Sequence, residues 1–153
     1  ADLIAAAGTV AAPVGELPGG CTPSRPVPIM AFHGTADRVV EYQGASMPGP
    51  FWLQRLGLTR SYFYLSAPQW TADWAARNGC ASDPEPIPPS GDISGVRYPD
   101  CDGGAEMVFY TIGGGGHTWP GGLPLPLVGK TSRDIDASET LWLFFGRFQL
   151  DSP

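Results

Sequence analysis

His117 is the residue of this chain best suited to moving a proton. It stands in Gly113-Gly114-Gly115-Gly116-His117-Thr118-Trp119-Pro120-Gly121-Gly122 and is one of two histidines. Imidazole titrates near neutrality, so it serves as a general base or acid at ordinary pH. The glycines before it put little bulk around the ring and allow backbone conformations closed to other residues. That is a costly way to hold a surface histidine and a sensible way to present one to a substrate. The plainer reading is a loop histidine bonded to backbone.

Asp37, in His33-Gly34-Thr35-Ala36-Asp37, is the carboxylate that could serve it. In a catalytic triad the acid holds the imidazole in one tautomer and stabilises its protonated form. The imidazole takes the proton of the nucleophile. The plain alternative for Asp37 is an Asx-turn or loop cap. His33 reads as a structural histidine at a strand end. A metal site built from His33, Asp37 and His117 has no tight ligand pattern behind it.

No nucleophile is evident. A serine nucleophile of this kind belongs in a Gly-x-Ser-x-Gly turn ahead of the acid. Before Asp37 there is only Ser24, between Pro23 and Arg25. Gly44-Ala45-Ser46-Met47-Pro48-Gly49 is the nearest imitation, but it lacks the final glycine at the right place and follows the acid. Cys21, flanked by Gly20 and Thr22-Pro23, has no strand–turn–helix around it.

The elements that would position the pair are legible in part. Ala1 to Val14 reads as a helix end or short strand and then a loop, and Gly15 to Arg25 as a connector. Val27-Pro28-Ile29-Met30-Ala31-Phe32 is apolar without alternation, as in a parallel strand buried on both faces. Asp37 would then lie past its C-terminal end, where open α/β sheets place ligands. Ser66 as N-cap, Pro68 in the first turn, Trp70, Trp74 and Ala75 at helical spacing and Gly79 after the end predict a helix over 67–78. Ser82 to Asp92 reads as an exposed loop. Glu106 to Ile112 reads as a second strand running into the glycines. Asp136 and Glu139 form an Asp-x-x-Glu cap, with Glu139 closing it. Leu141, Phe144, Phe145 and Phe148 make the apolar stripe of a final helix ending near Phe148. Trp70, Trp74, Trp142 and the late phenylalanines read as core. The order predicts an α/β fold with right-handed crossovers, one domain over 1–153 and no repeat.

Composition bounds the partners. The net charge of −6 argues against nucleic acid and against an anionic membrane surface. No apolar run reaches the length of a membrane span. Gly 21 and Pro 17 in 153 residues mean extensive loops. Ala1 implies a processed, trimmed or truncated N-terminus. Cys21, Cys80 and Cys101 leave one cysteine over. A Cys80–Cys101 disulfide would close a Pro/Gly-rich loop and imply an oxidising compartment; reduced buried thiols are the alternative. Asp83, Glu85 and Asp92 read as a solvated edge. Trp119 either lines an acyl or aromatic pocket or packs beneath the loop.

Taken together, several segments resemble the poly(3-hydroxybutyrate)-depolymerase-like and feruloyl esterases of the α/β-hydrolase fold. Pro28 to Tyr42 resembles their acid loop, and Trp74-Ala75-Ala76-Arg77-Asn78-Gly79-Cys80 their following helix. Gly113 to Gly122 resembles their histidine loop, and Asp134 to Glu139 with Phe144-Phe145 their last helix. Ala1 to Ala6 is similar to the segment just after the nucleophile's helix. The resemblance implies Asp37 as catalytic acid, His117 as catalytic base and a Cys80–Cys101 bond. It also implies that the chain is the C-terminal half of such a serine esterase, without the serine elbow and oxyanion-hole loop, and that no cofactor is needed. Expected substrates are feruloylated or acetylated polysaccharide, short acyl esters or hydroxyalkanoate oligomers, met outside the cell or in a periplasm. The expected partner is the N-terminal half of the same enzyme, as a separate chain or a missing segment, or else a copy of the chain in a self-exchange dimer, because half a parallel sheet exposes an apolar edge. The competing expectations are a catalytically inactive α/β module acting in binding, and a metal-dependent hydrolase.

Overall fold

The computed structural model describes residues 2–12, 21–47, 62–63, 65–80 and 83–150. Their order is β1 (Ala7–Val10), β2 (Ile29–Gly34), β3 (Ser46–Met47), β4 (Tyr62–Phe63), α1 (Ala67–Arg77), β5 (Glu85–Ser90), β6 (Ile93–Tyr98), β7 (Met107–Ile112) and α2 (Ala137–Phe145). A five-stranded sheet runs β1-β2-β7-β6-β5, and β3 and β4 form a small antiparallel pair. The fold is of the α/β type.

The unbroken apolar run of β2 is explained by burial on both faces. Met30 and Phe32 face one core with Val108, Ile112, Leu141 and Phe144. Ile29 and Ala31 face the other with Ala67, Ala75, Met107 and Phe109. Successive strand side chains point to opposite faces, so α2 covers one side of the sheet and α1 the other. Each large apolar side chain so buried contributes roughly 1.5–3 kcal/mol. β2 pairs in parallel with β1 and β7, and the register Ile29↔Met107 to Gly34↔Ile112 brings the C-terminal ends of β2 and β7 level. That is what lets the loop after each strand meet the other.

The sheet is mixed, which the sequence does not announce. β6 and β5 join β7 antiparallel. The expected loop over 82–92 is corrected: Glu85–Ser90 is a strand, although its side chains are mostly exposed as expected. Pro86, Pro88 and Pro89 are tolerated because the strand lies at the sheet edge, with a register shift between Ile87 and Ser90. Ser82 lies outside the described residues, as do 13–14 of the first segment and 15–20 of the expected connector.

The helix ends follow their caps. Ser66 accepts from Gln69 N at 3.3 Å, and the helix ends at Asn78 and Gly79, whose φ is +64°. Buried Asn78 bonds both the amide and the carbonyl of Val27, tying α1 to the approach to β2. At α2 the cap is Asp136, whose Oδ1 accepts from Ser138 N and Glu139 N. Glu139 thus receives the cap through its amide rather than closing it with its side chain. Trp142 is a further correction, at 77 % exposed; it faces away from the core that Leu141 and Phe144 enter. Glu106, buried near the start of β7, bonds Arg97 at 2.8 Å and contacts Arg147 at 2.5 Å, fastening the chain after α2 to the sheet. Cys80 and Cys101 form a disulfide, which fits an oxidising compartment. Among the described residues no helix is long and apolar enough to cross a membrane.

Candidate active site

The loops after β2 and β7 are laced together before any side chain is considered. Ala36 N donates to Gly115 O at 2.9 Å, Thr35 N to Ile112 O at 2.9 Å, and Gly114 N to Thr35 Oγ1 at 2.8 Å. A third segment closes the other side. His117 N donates to Val128 O at 2.8 Å, and Gly116 N to Lys130 O at 2.9 Å. The glycine run makes this contact possible chiefly through its lack of side chains. A Cβ on Gly116 would stand 2.2 Å from Val128 O. Of the four glycines before His117, only Gly114 has a left-handed backbone, at φ +69°. Close approach explains more of the run than conformational freedom does.

Within this frame His117 Nδ1 and Asp37 Oδ2 lie 3.0 Å apart. The Asp37 side chain is fully buried and that of His117 is 34 % exposed. Oδ1 of Asp37 accepts from Val39 N at 2.8 Å and Val40 N at 2.9 Å. The Asx-turn and the partnership with His117 are therefore two jobs of one carboxylate, one per oxygen. An ionised carboxylate can only accept, so the imidazole proton sits on Nδ1 and Nε2 is the basic nitrogen. This arrangement can take a proton from a hydroxyl presented to Nε2.

His33 is near the pair but does not join it. It is 3 % exposed, packs edge-on against Tyr42 at 5.7 Å, and its Nδ1 lies 3.3 Å from Gly34 O. Its Nε2 is buried with no hydrogen-bond partner among the described residues. Burial holds its pKa below the ordinary value; the Gly34 carbonyl and Asp37 oppose the shift and His117 adds to it. Among the described residues no three His, Cys, Asp or Glu side chains group as metal ligands.

Trp119 satisfies neither expectation in full. Its Nε1 donates to Ser138 Oγ at 3.0 Å at the start of α2, and the ring is 45 % exposed. A cleft of about 240 Å³ lies between the acid loop and the segment after Trp119, lined by Arg38, Val39, Leu127 and Val128 among others. Cys21 is a free, partly exposed thiol among the described residues. Ser46 begins β3, and Pro48 and Gly49 of its motif lie outside the described residues. No serine or cysteine among the described residues is hydrogen-bonded to His117. The sequence reading overlooks Thr35, Lys130 and Asp92, which hold the loops. Lys130 touches the loop through its carbonyl, a group every residue carries.

No protein-family model matches the chain. Over 120 residues, 76 % of the chain, it is 35 % identical to "Feruloyl esterase B" of Piromyces equi, of which 21 % is covered. Over 149 residues, 91 % of the chain, it is 28 % identical to "Putative esterase NocK" of Nocardia uniformis subsp. tsuyamanensis, of which 43 % is covered. The chain thus spans less than half the length of either curated relative. Two relatives named as esterases, at modest identity, support an esterase-like family and point to a hydrolase.

Proposed function

We propose that the chain supplies the acid and base of a Ser-His-Asp triad in a serine carboxylesterase, as the C-terminal portion of an α/β-hydrolase domain. The observation that carries this reading is the 3.0 Å contact of a fully buried Asp37 with a partly exposed His117. The order of the two loops, at the ends of adjacent parallel strands, agrees with the acid-then-base order of that fold. The nucleophile and the oxyanion donors would come from a polypeptide outside residues 1–153, added beyond β1 at the sheet edge.

In such an enzyme the serine hydroxyl attacks the ester carbonyl carbon while His117 Nε2 takes its proton. The imidazolium then gives that proton to the departing alcohol, leaving an acyl-serine. Water attacks the acyl-serine by the same two proton transfers in reverse and frees the acid. Asp37 keeps the Nδ1 proton in place and stabilises the imidazolium. The resemblance and the relatives' names favour feruloyl or acetyl esters of polysaccharide, short acyl esters or hydroxyalkanoate oligomers as substrates. Together with the disulfide they favour a secreted or periplasmic setting. Trp119, half exposed two residues beyond the base, would line the acyl or alcohol side.

The test is hydrolysis of short p-nitrophenyl esters by the whole protein and its His117→Ala variant. Loss of the base should lower kcat by roughly 10⁴-fold or more. Hydrolysis that survives the substitution overturns the role given to His117.

A further inference from the structure

Asp92 occupies the two-residue turn between β5 and β6, where the sequence suggests only a solvated edge. Its carboxylate is in fact engaged on both oxygens. Oδ1 accepts from Ser132 Oγ at 2.6 Å, and Oδ2 pairs with Lys130 Nζ at 2.7 Å. Its amide donates to Asp134 Oδ2 at 2.8 Å, and its carbonyl accepts from Gly113 N at 2.7 Å. Asp134 N in turn donates to Ser132 Oγ at 3.2 Å. A Cβ on Gly91 would stand 2.0 Å from Asp134 Oδ2, so glycine admits this contact.

The far end of the network is the base. The Lys130 carbonyl accepts from Gly116 N at 2.9 Å and from Thr118 Oγ1 at 3.0 Å, the residues on either side of His117. Asp92 therefore holds the histidine loop twice: at its start through Gly113, and around His117 through Lys130. We propose that Asp92 is a positioning residue for His117, fixing the loop from the hairpin turn so that Nε2 is held on line for the nucleophile. The inference rests on the proposed esterase reading. It also gives β5 and β6 a task beyond covering the sheet.

Asp92 is 12 % exposed in its side chain and Lys130 is 54 % exposed. The lysine end of the pair is open to water and the carboxylate end is largely covered, so the melting temperature has to be read beside kcat. A loop moved by about 1 Å can lose on the order of 100-fold in rate.

The experiment compares Asp92→Asn and Asp92→Glu with the unaltered whole protein. It reads kcat and KM on a p-nitrophenyl ester, the melting temperature, and the His117 and His33 ring-proton signals by NMR. Asn keeps an acceptor for Ser132 but not the charge for Lys130. We expect Asp92→Asn to lower kcat about 10- to 100-fold with KM within about twofold. The His117 signal should move and that of His33 should not. Asp92→Glu should restore part of the kcat. Unchanged kcat with an unmoved His117 signal overturns the proposal, as does a fall in kcat that only tracks the folded fraction. If Asp92→Asn does not fold, Lys130→Met removes the same ion pair from the exposed side, and the same readouts decide. Absence of ester hydrolysis in the unaltered protein would sink the esterase reading, while the NMR comparison still tests the link from Asp92 to His117.

Discussion

Gly34, at the end of β2, and Gly115, in the histidine loop, meet backbone to backbone. A Cβ on Gly34 would stand 2.2 Å from the Gly115 carbonyl oxygen, and that same oxygen accepts the Ala36 amide. Gly34→Ala therefore cannot be absorbed by a side-chain rotation. It should push the loops apart and destabilise by about 1–3 kcal/mol, as overpacking does. Chemical denaturation measures this. An unchanged midpoint would mean that the two loops are not held at this distance.

Asp37→Asn separates the two jobs of the carboxylate. The amide oxygen can still accept from Val39 N and Val40 N. The amide nitrogen would face His117 Nδ1 and donate to it, forcing the imidazole proton onto Nε2. Stability should change little while ester turnover falls by roughly 10⁴-fold. Turnover that survives the change would show instead that Asp37 is only a turn former.

Trp119 and Ser138 share one hydrogen bond, from the indole Nε1 to the hydroxyl. Trp119→Phe and Ser138→Ala both delete it, so each should cost about 0.5–1.5 kcal/mol. Because they delete the same bond, the double variant should lose less than the sum. If Trp119 also lines the substrate, Trp119→Ala should raise KM beyond anything Ser138→Ala does. Equal KM values in the two variants would confine Trp119 to anchoring the loop.

The meeting of Asp37 and His117 was legible because a carboxylate and an imidazole stand in loops that follow apolar strands. The two-faced burial of β2 was legible for the same reason: Ile29, Met30, Ala31 and Phe32 carry no polar alternation. The strand at 85–90 was not, because Pro86, Pro88 and Pro89 read as breakers and only an edge position tolerates them. β6 carries Gly95, where a Cβ would meet Phe109 O at 2.4 Å; alone in sequence, that glycine suggests a turn. Trp142 misled because it neighbours Leu141 in an apolar run, and helix rotation then turns it to solvent. The Asp92 network was hidden because its partners lie 21 to 42 positions away.

Cys80 and Cys101 are 21 positions apart. Opening that loop should cost about 3 kcal/mol of chain entropy in the unfolded state. Cys101 lies before β7 and His117 after it, so the disulfide sits toward the opposite end of the strand from the base. Reductant, or the double change to serine, should lower the melting temperature and leave kcat of the folded fraction unchanged. A fall in kcat below the melting range would mean that the disulfide also shapes the site.

His33 supplies the acid-side pH dependence of stability. Burial, opposed by the Gly34 carbonyl and Asp37, sets its folded pKa below the ordinary 6.5. Between the two values the unfolded chain binds more protons, so stability falls as pH drops below about 6.5 and levels off below the folded pKa. His33→Phe keeps a ring edge against Tyr42 and removes both the titration and the buried, unpartnered Nε2. A buried polar atom without a partner costs about 1–3 kcal/mol. The phenylalanine variant should therefore lose less stability than the parent between pH 7 and about pH 5, and at the lower pH it should be at least as stable. Denaturation midpoints at both pH values test this. Parallel curves for the two proteins would mean that His33 titrates in the fold as it does in the unfolded chain, so that burial does not lower its pKa.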